Sequence, residues 1–301
     1  MSRVRRCSIA LLLAATLGGC AGDEAIERLD EEFAEEQERV ETHLGRVHVT
    51  LHSQGNLLSE QGEHGRLDVT ARFVESHGLD EAFVRSRADL WPQPEQLVSP
   101  GHCLASERLS GFVPLDAATD TAPTNYELVL LDAGTVQLHA GVHNVDVPMV
   151  LAPDLVPSMH GVEYVYTNES AGWLTGSEVL ELEVEGSGDE TLPGFRHRIQ
   201  LPGPLGFSAR PAPLVTDALE LRWQVGGGNP VVRVLGDGAE VTCVLRDTGE
   251  FRLDLQGIGL DAAPSLVLSA SRTHVGHFDA GDFAAGEVIV EVREQAQIER
   301  W

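Results

Sequence analysis

The sequence predicts an all-β protein: two antiparallel β-sandwich domains of immunoglobulin-like type, preceded by a signal peptide and a short acidic helix or linker. Three observations carry this. From Gly45 onward apolar and polar residues alternate with a period of two over short runs, the pattern of strands with one buried face. The 31 Gly and 15 Pro are scattered between those runs, which favours many turns over a few long helices. Hydrophobic content of 42% over 301 residues is enough for real cores in one large or two ordinary domains.

Residues 1–19 read as a lipoprotein signal peptide. Arg3, Arg5 and Arg6 form a charged start, Ile9 to Leu17 an apolar stretch, and Leu17-Gly18-Gly19 leads into Cys20. The apolar stretch falls well short of the roughly 20 residues a membrane-spanning helix needs, so an uncut anchor fits poorly. In the favoured reading the Cys20 sulfur takes a diacylglycerol and the leader is cut before it. Each buried methylene adds about 0.8 kcal/mol, so two or three chains hold the protein to the bilayer without spanning it. Arg5-Arg6 leaves the export route open between the general and twin-arginine pathways.

Residues 20–44 carry Cys20 and an acidic spacer. Ten carboxylates between Asp23 and Glu41 face only Arg28 and Arg39, while Ile26, Leu29, Phe33, Val40 and Leu44 recur at near-helical spacing. This reads as a solvated, self-repelling spacer or as a short helix that docks on the domain or a partner.

A first domain is expected over residues 45–205. Val47, Val49 and Leu51 alternate with His48 and Thr50, and Leu67, Val69, Ala71 and Phe73 alternate with Asp68, Thr70 and Arg72. Asp80 to Arg87 suits a short helix. Further strands are read at 128–131, 136–140, 145–150, 162–166, 179–184 and 195–201, and in 180–185 one face is apolar while the other is wholly acidic. The proline-rich run Pro202, Pro204, Pro211 and Pro213 marks the boundary. A second, immunoglobulin-like domain follows over 206–301, with strands at 219–223, 231–235, 241–245, 251–255, 266–270 and 288–292 at the spacing expected of a sandwich. Trp223 and Cys243 fall on inward positions, and Gly226-Gly227-Gly228-Asn229 makes a turn between the first two strands.

Several segments resemble uncharacterised lipoproteins and secreted proteins of myxobacterial type: Leu131-Asp132-Ala133-Gly134-Thr135-Val136, Pro193-Gly194-Phe195, Leu201-Pro202-Gly203-Pro204-Leu205, Leu221-Arg222-Trp223, and Val241-Thr242-Cys243-Val244-Leu245-Arg246-Asp247-Thr248-Gly249. The resemblance spans about Gly101 to Val292. It implies a β-sandwich architecture and an envelope location, and it brings no catalytic residues with it.

With Cys7 in the leader and Cys20 acylated, Cys103 and Cys243 remain. In an oxidising compartment they form either a disulfide, which would need the two domains to pack tightly there, or two separately buried thiols.

Composition excludes several functions. The net charge of −26 becomes −29 once the leader is removed, with 18 basic residues against 47 acidic ones. Nucleic acid is excluded as a partner, because displacing its counterions needs a basic face. The chain holds no lysine, so a Walker A phosphate loop and Schiff-base chemistry are excluded too. There is no Gly-x-Ser-x-Gly elbow, no His-Glu-x-x-His helix and no paired-cysteine zinc spacing. Of the 12 histidines, His274 and His277 with Asp279 and Asp282 form the densest cluster, and His139 and His143 a second spaced pair. In a strand, i and i+3 point to opposite faces, so His274, His277 and Asp279 could share a metal only on a turn, which Gly276 would permit. Calcium at Asp279 and Asp282, or at the Gly186–Glu190 turn, lacks the spaced carboxylates of dedicated sites.

The expected function is a noncatalytic binding or structural module without a cofactor, anchored in the bacterial envelope with the outer membrane favoured over the inner. Its partners are the lipid bilayer, through acylated Cys20, and an envelope protein, peptide or glycan met at a sheet edge or loop end. The alternative is a metal-dependent or other hydrolase whose site is assembled from dispersed His and Asp residues.

Overall fold

The computed structural model describes residues 41–53, 65–79, 81–90, 92–105, 128–151, 159–169, 179–188, 192–212, 217–281, 283 and 286–299. The leader, Cys20, the acidic segment up to Val40, Asp282 and the Asp189-Glu190 part of the turn lie outside these residues.

The fold is all-β. In chain order the strands are β1 (Glu41–Ser53), β2 (Gly65–His77), β3 (His102–Ala105), β4 (Leu128–Leu130), β5 (Val136–Ala140), β6 (His143–Val147), β7 (Met149–Leu151), β8 (Met159–Asn168), β9 (Val179–Gly186), β10 (Pro193–Gln200), β11 (Ser208–Pro211), β12 (Ala218–Arg222), β13 (Val231–Gly236), β14 (Ala239–Val244), β15 (Glu250–Asp254), β16 (Ser265–Phe278) and β17 (Gly286–Glu299). Two short helices, α1 (Glu81–Arg87) and α2 (Pro94–Leu97), lie between β2 and β3.

A ten-stranded sheet, in the order β3-β14-β13-β16-β17-β1-β2-β4-β8-β7, runs through the whole unit. Two smaller sheets, β10-β9-β5-β6 and β11-β12-β15, pack against one face of it. Most neighbours are antiparallel, but β1 lies parallel to β17 and β4 parallel to β8. The first and last strands of the unit are therefore partners.

Alternation explains the layering. Val47, Val49, Leu51, Leu67, Val69, Ala71 and Phe73 point inward from β1 and β2, and meet Val136, Leu138, Leu180, Leu182 and Val184 of the four-stranded sheet. Phe73 stands at the centre, edge-on to Tyr164, Phe195, Phe278 and Phe283, while Phe195 stacks on Phe278 with ring centroids 4.2 Å apart. A second core joins Val232, Val234, Val241, Cys243, Leu266, Leu268 and Ala270 to Leu219, Leu221, Trp223 and Leu253 of the three-stranded sheet. Trp223 and Cys243 are both buried, on the inward positions expected of them.

Leu201 belongs to the first core and Leu205 to the second, so the chain passes from one to the other in the proline-rich run just ahead of residue 206. The last two strands serve both. In β16, Leu266, Leu268 and Ala270 pack in the second core and Phe278 in the first; in β17, Val288, Val290 and Val292 pack in the first and Ile298 in the second. The two sandwiches thus share one sheet.

Several strand limits differ from expectation. β1 begins at Glu41, so Leu44 is a buried strand residue packed under α1, not part of the acidic helix. The run at 145–150 is broken by Pro148, which has no N–H for a ladder, and the chain passes there from the four-stranded sheet (β6) to the ten-stranded one (β7). The turn at 226–229 links strands of different sheets, because β12 and β13 do not pair. β3, four residues with no period in the sequence, pairs with β14 and sets Cys103 opposite Cys243. The two sulfurs are bonded at 2.05 Å, closing a loop of 140 residues. β3 reaches there because it adds itself to the sheet of the second sandwich, supplying the close packing a disulfide needs.

Candidate binding cleft and the histidine clusters

The outer face of the four-stranded sheet carries rows of polar side chains set by strand register. Arg198, Glu181, His139 and Asn144 form one row; Arg196, Glu183, Gln137 and Asp146 form the next; Gly194, Glu185 and Thr135 form a third. Cross-strand bonds fix each row. Arg196 donates to Glu183 at 2.6 Å, Gln137 donates to Asp146 at 2.7 Å, and the Thr135 hydroxyl donates to Glu185 at 2.7 Å. The His139 ring lies 2.8 Å from Asn144 Oδ1 and 3.4 Å from Glu183. The Arg198 guanidinium donating to Glu181, and the Thr135 hydroxyl and backbone N–H donating to Glu185, hold both carboxyls below the usual glutamate range.

A cleft of about 580 Å³ opens on this face, lined by Thr135, Gln137, Glu183, Val184, Glu185, Gly194, Phe195 and Arg196. Gly194 is among its lining residues and approaches the Glu185 carbonyl so closely that a Cβ there would collide with it. The turn at 132–135 that borders the cleft is pinned from below. Tyr164, buried in the first core, receives the Ala133 N–H at 2.8 Å, and its hydroxyl lies 2.9 Å from both Asp132 Oδ1 and the Gly134 carbonyl. Burial, then the Asp132 carboxylate, push the Tyr164 hydroxyl well above its ordinary pKa.

The turn that His274 and His277 would need in order to share a metal does not form. His274 and His277 lie within a regular stretch of β16, opposite Val290 and Glu287 of β17, so the ladder sends their side chains to opposite faces. Asp279 follows β16 directly and shares only the alternation of His277. Gly276 does not make a turn between the histidines. It makes room for the His197 imidazole of β10, which occupies the space a Cβ would need. Burial, and then the nearby His277, lower the pKa of His197. His139 and His143 lie near the β5–β6 hairpin, with His139 in the ladder just described. Among the described residues no three His, Cys, Asp or Glu side chains gather where they could hold a metal ion.

Sequence reasoning missed two polar groups that join the sandwiches. Glu294 of β17 is buried and accepts the N–H groups of Leu205 at 2.9 Å, Gly206 at 3.0 Å and Phe207 at 2.6 Å, fixing the proline-rich linker to the sheet. Arg272 of β16, 1% exposed, donates to the Gln224 carbonyl at 2.8 Å and to Asp247 at 3.2 Å. Asp247 also accepts the Trp223 indole N–H and the Gly226 N–H, so it ties the glycine turn to the second core. Both Arg272 and Glu294 sit on inward positions where β16 and β17 cross from one core to the other.

Among the described residues no helix is long and apolar enough to cross a membrane. No family model matches the chain, and no curated protein does. Among solved structures it is similar to the Fcho1 Mu homology domain of Danio rerio with bound Eps15 peptide, at 8% identity, covering 88% of this chain and 99% of that one with a TM-score of 0.24.

Proposed function

We propose that this chain is a noncatalytic binding module of the bacterial envelope, tethered by lipid on Cys20, that takes a hydroxyl-rich ligand such as a glycan in the cleft on the outer face of β10-β9-β5-β6. The observation that supports the ligand class is the cleft's lining. A guanidinium, two carboxylates, an amide and a hydroxyl from Arg196, Glu183, Glu185, Gln137 and Thr135 offer both donors and acceptors. They are held in place before any ligand arrives, which lowers the ordering cost of binding. A net charge of −26 disfavours polyanions, and the scarcity of apolar side chains there disfavours lipid tails. Glycan-array screening with envelope polysaccharide fragments, followed by calorimetry, tests this. Arg196→Ala and Gln137→Ala should each weaken binding about 10-fold or more, as expected for losing a ligand hydrogen bond of ~1.5 kcal/mol. Binding that both variants leave unchanged would refute the cleft as the site.

The tether rests on the leader sequence and Cys20. Labelling with a palmitate analogue should mark the wild type and fail in Cys20→Ser; label retained in the variant would contradict the anchor.

A second reading has a specific observation behind it. Edge strand β7 exposes Met149, Val150 and Leu151 in succession, which suits addition of an extended, apolar partner segment to the ten-stranded sheet.

A further inference from the structure

Among the described residues, the face of the ten-stranded sheet opposite the two cores is crossed by a strap, the segment between β2 and β3 that contains α1 and α2. Its two ends are seated on apolar side chains. Leu79, Phe83, Val84, Ala88 and Leu90 pack on Leu44, Val74, Leu128 and Leu130 at one end, and Leu97 and Val98 pack with Val231 and Val244 at the other. Polar contacts reinforce the first end, where the Thr42 hydroxyl donates to the Leu79 carbonyl and Arg72 donates to the Ala88 carbonyl. Just past the second end the Cys103–Cys243 disulfide holds the chain to β14. Among the described residues, those between Leu90 and Leu97 have no such apolar seat. Alternation puts polar residues there: Ser271 and Thr273 from β16, Glu291 and Arg293 from β17, His48 and Thr50 from β1, and Arg233 from β13.

Glu95 of α2 is set down on this polar surface. Its carboxylate accepts a hydrogen bond from the Thr273 side chain, but its Oε2 is buried with no hydrogen-bond partner among the described residues. It also faces the buried carboxylate of Glu291. Glu291 is fully committed elsewhere: Arg293 donates to both its oxygens, at 3.0 and 2.9 Å, and His48 Nε2 lies 3.4 Å away. Burial would raise the Glu291 pKa, but the His48 hydrogen bond, the Arg293 and His48 charges and the Ser271 hydrogen bond outweigh it and hold it at about 2. Glu291 is therefore a fixed negative charge over the whole neutral and mildly acidic range. Glu95 has no comparable set of donors. Desolvation is the largest influence on it; its own backbone N–H, the Thr273 side chain and the Arg233 charge act against that, and Glu291 repels it.

We propose that Glu95 makes this strap a pH-sensitive clasp, seated over the sheet when its carboxyl carries a proton and loosened around α2 when it is ionised. An ionised, desolvated oxygen without a donor costs free energy that a proton removes, along with the repulsion from Glu291. The sign follows from the direction of the shift. Burial raises the pKa of Glu95 in the seated form, so that form binds the proton more tightly than a form with Glu95 in water. Seating is strongest below the ordinary glutamate range and weakens as pH rises through the raised value. Opening would expose Ser271, Thr273, Arg233 and the Glu291–Arg293 pair, while the disulfide keeps the far end in place. An acidic compartment or surface would close the clasp and a neutral one would relax it.

Hydrogen exchange on the intact, oxidised protein tests this through the backbone amides of residues 93–98, each rate corrected for its intrinsic pH dependence. Between about pH 5 and about pH 8, protection of this segment should fall several-fold in the wild type, up to about 10-fold for each pKa unit separating the two forms. Amides of β16 and β17 beneath should not follow. In Glu95→Gln, which cannot ionise, protection should be the same at both pH values and higher than wild type at the upper one. Thr273→Val, which removes the donor to Glu95, should move the wild-type transition to higher pH, and it serves as the test if Glu95→Gln fails to fold. Protection that does not change with pH in the wild type, or a pH dependence that persists in Glu95→Gln, would overturn the proposal.

Discussion

Glu294 stands at a position of β17 where the alternation of Val288, Val290 and Val292 calls for another apolar side chain, and it is buried there all the same. Its carboxylate is matched by three backbone N–H groups of the linker, so a buried charge is satisfied by donors that the prolines on either side leave with no ladder of their own. Glu294→Ala would strand those N–H groups, two of them buried, at about 1–3 kcal/mol each. A urea titration should therefore give a loss of about 3–5 kcal/mol, and Glu294→Gln, which keeps one acceptor, should lose less. A change below about 0.5 kcal/mol in the alanine variant, the range of ordinary surface substitutions, would contradict the role of the linker pin. Arg272, Asp247 and Gly276 carry the same lesson. Each serves a contact from a distant strand, and a single sequence has no local signal for that.

At the scale of elements, short strands with clean alternation were legible. Those at β1, β2, β5, β9, β13 and β14 lie where the period of two puts them, because one face packs on a core and the other meets water. β16 and β17 were read far too short. Arg272, His274 and Gly276 interrupt the apolar inward positions of β16, and Glu294 does so in β17, at the places where both strands leave one core for the other. The interruptions look like strand ends, yet the ladder continues through them. β3 was unreadable for a different reason: four residues are too few to show a period, and its partner lies more than a hundred positions on. The same pairing forms the disulfide. In the chain-entropy account, closing a loop of 140 residues stabilises by about 4–5 kcal/mol. Replacing both cysteines by Ala should lower the unfolding free energy by about that amount and leave β3 and the adjacent end of the strap less protected from exchange. An oxidised-like stability in the double variant would show that the bond contributes little. The cleft was legible only in part: the acidic outer face of β9 was read correctly, but its meeting with Arg196 and Gln137 depends on strand order, which alternation does not specify.

At the scale of the whole molecule, two cores read as two domains because the sequence places a proline-rich linker between most of their members. The structure joins them through one sheet: β1 pairs with β17, β16 pairs with β17 along 14 registered residues, and each of these last two strands contributes to both cores. Neither sandwich can lose β16 and β17 without exposing apolar surface of the other. For the proposed module this means a ligand in the cleft of the first sandwich binds a frame braced by the second. Residues 41–299 should therefore unfold as one cooperative unit. Native-state hydrogen exchange across a denaturant series tests it directly, comparing amides of β9 in the first sandwich with amides of β12 in the second. Both sets should merge into one global opening, with the same free energy and the same denaturant dependence. Two separate openings, with β12 exchanging at a distinctly lower or higher free energy while β9 stays protected, would contradict it.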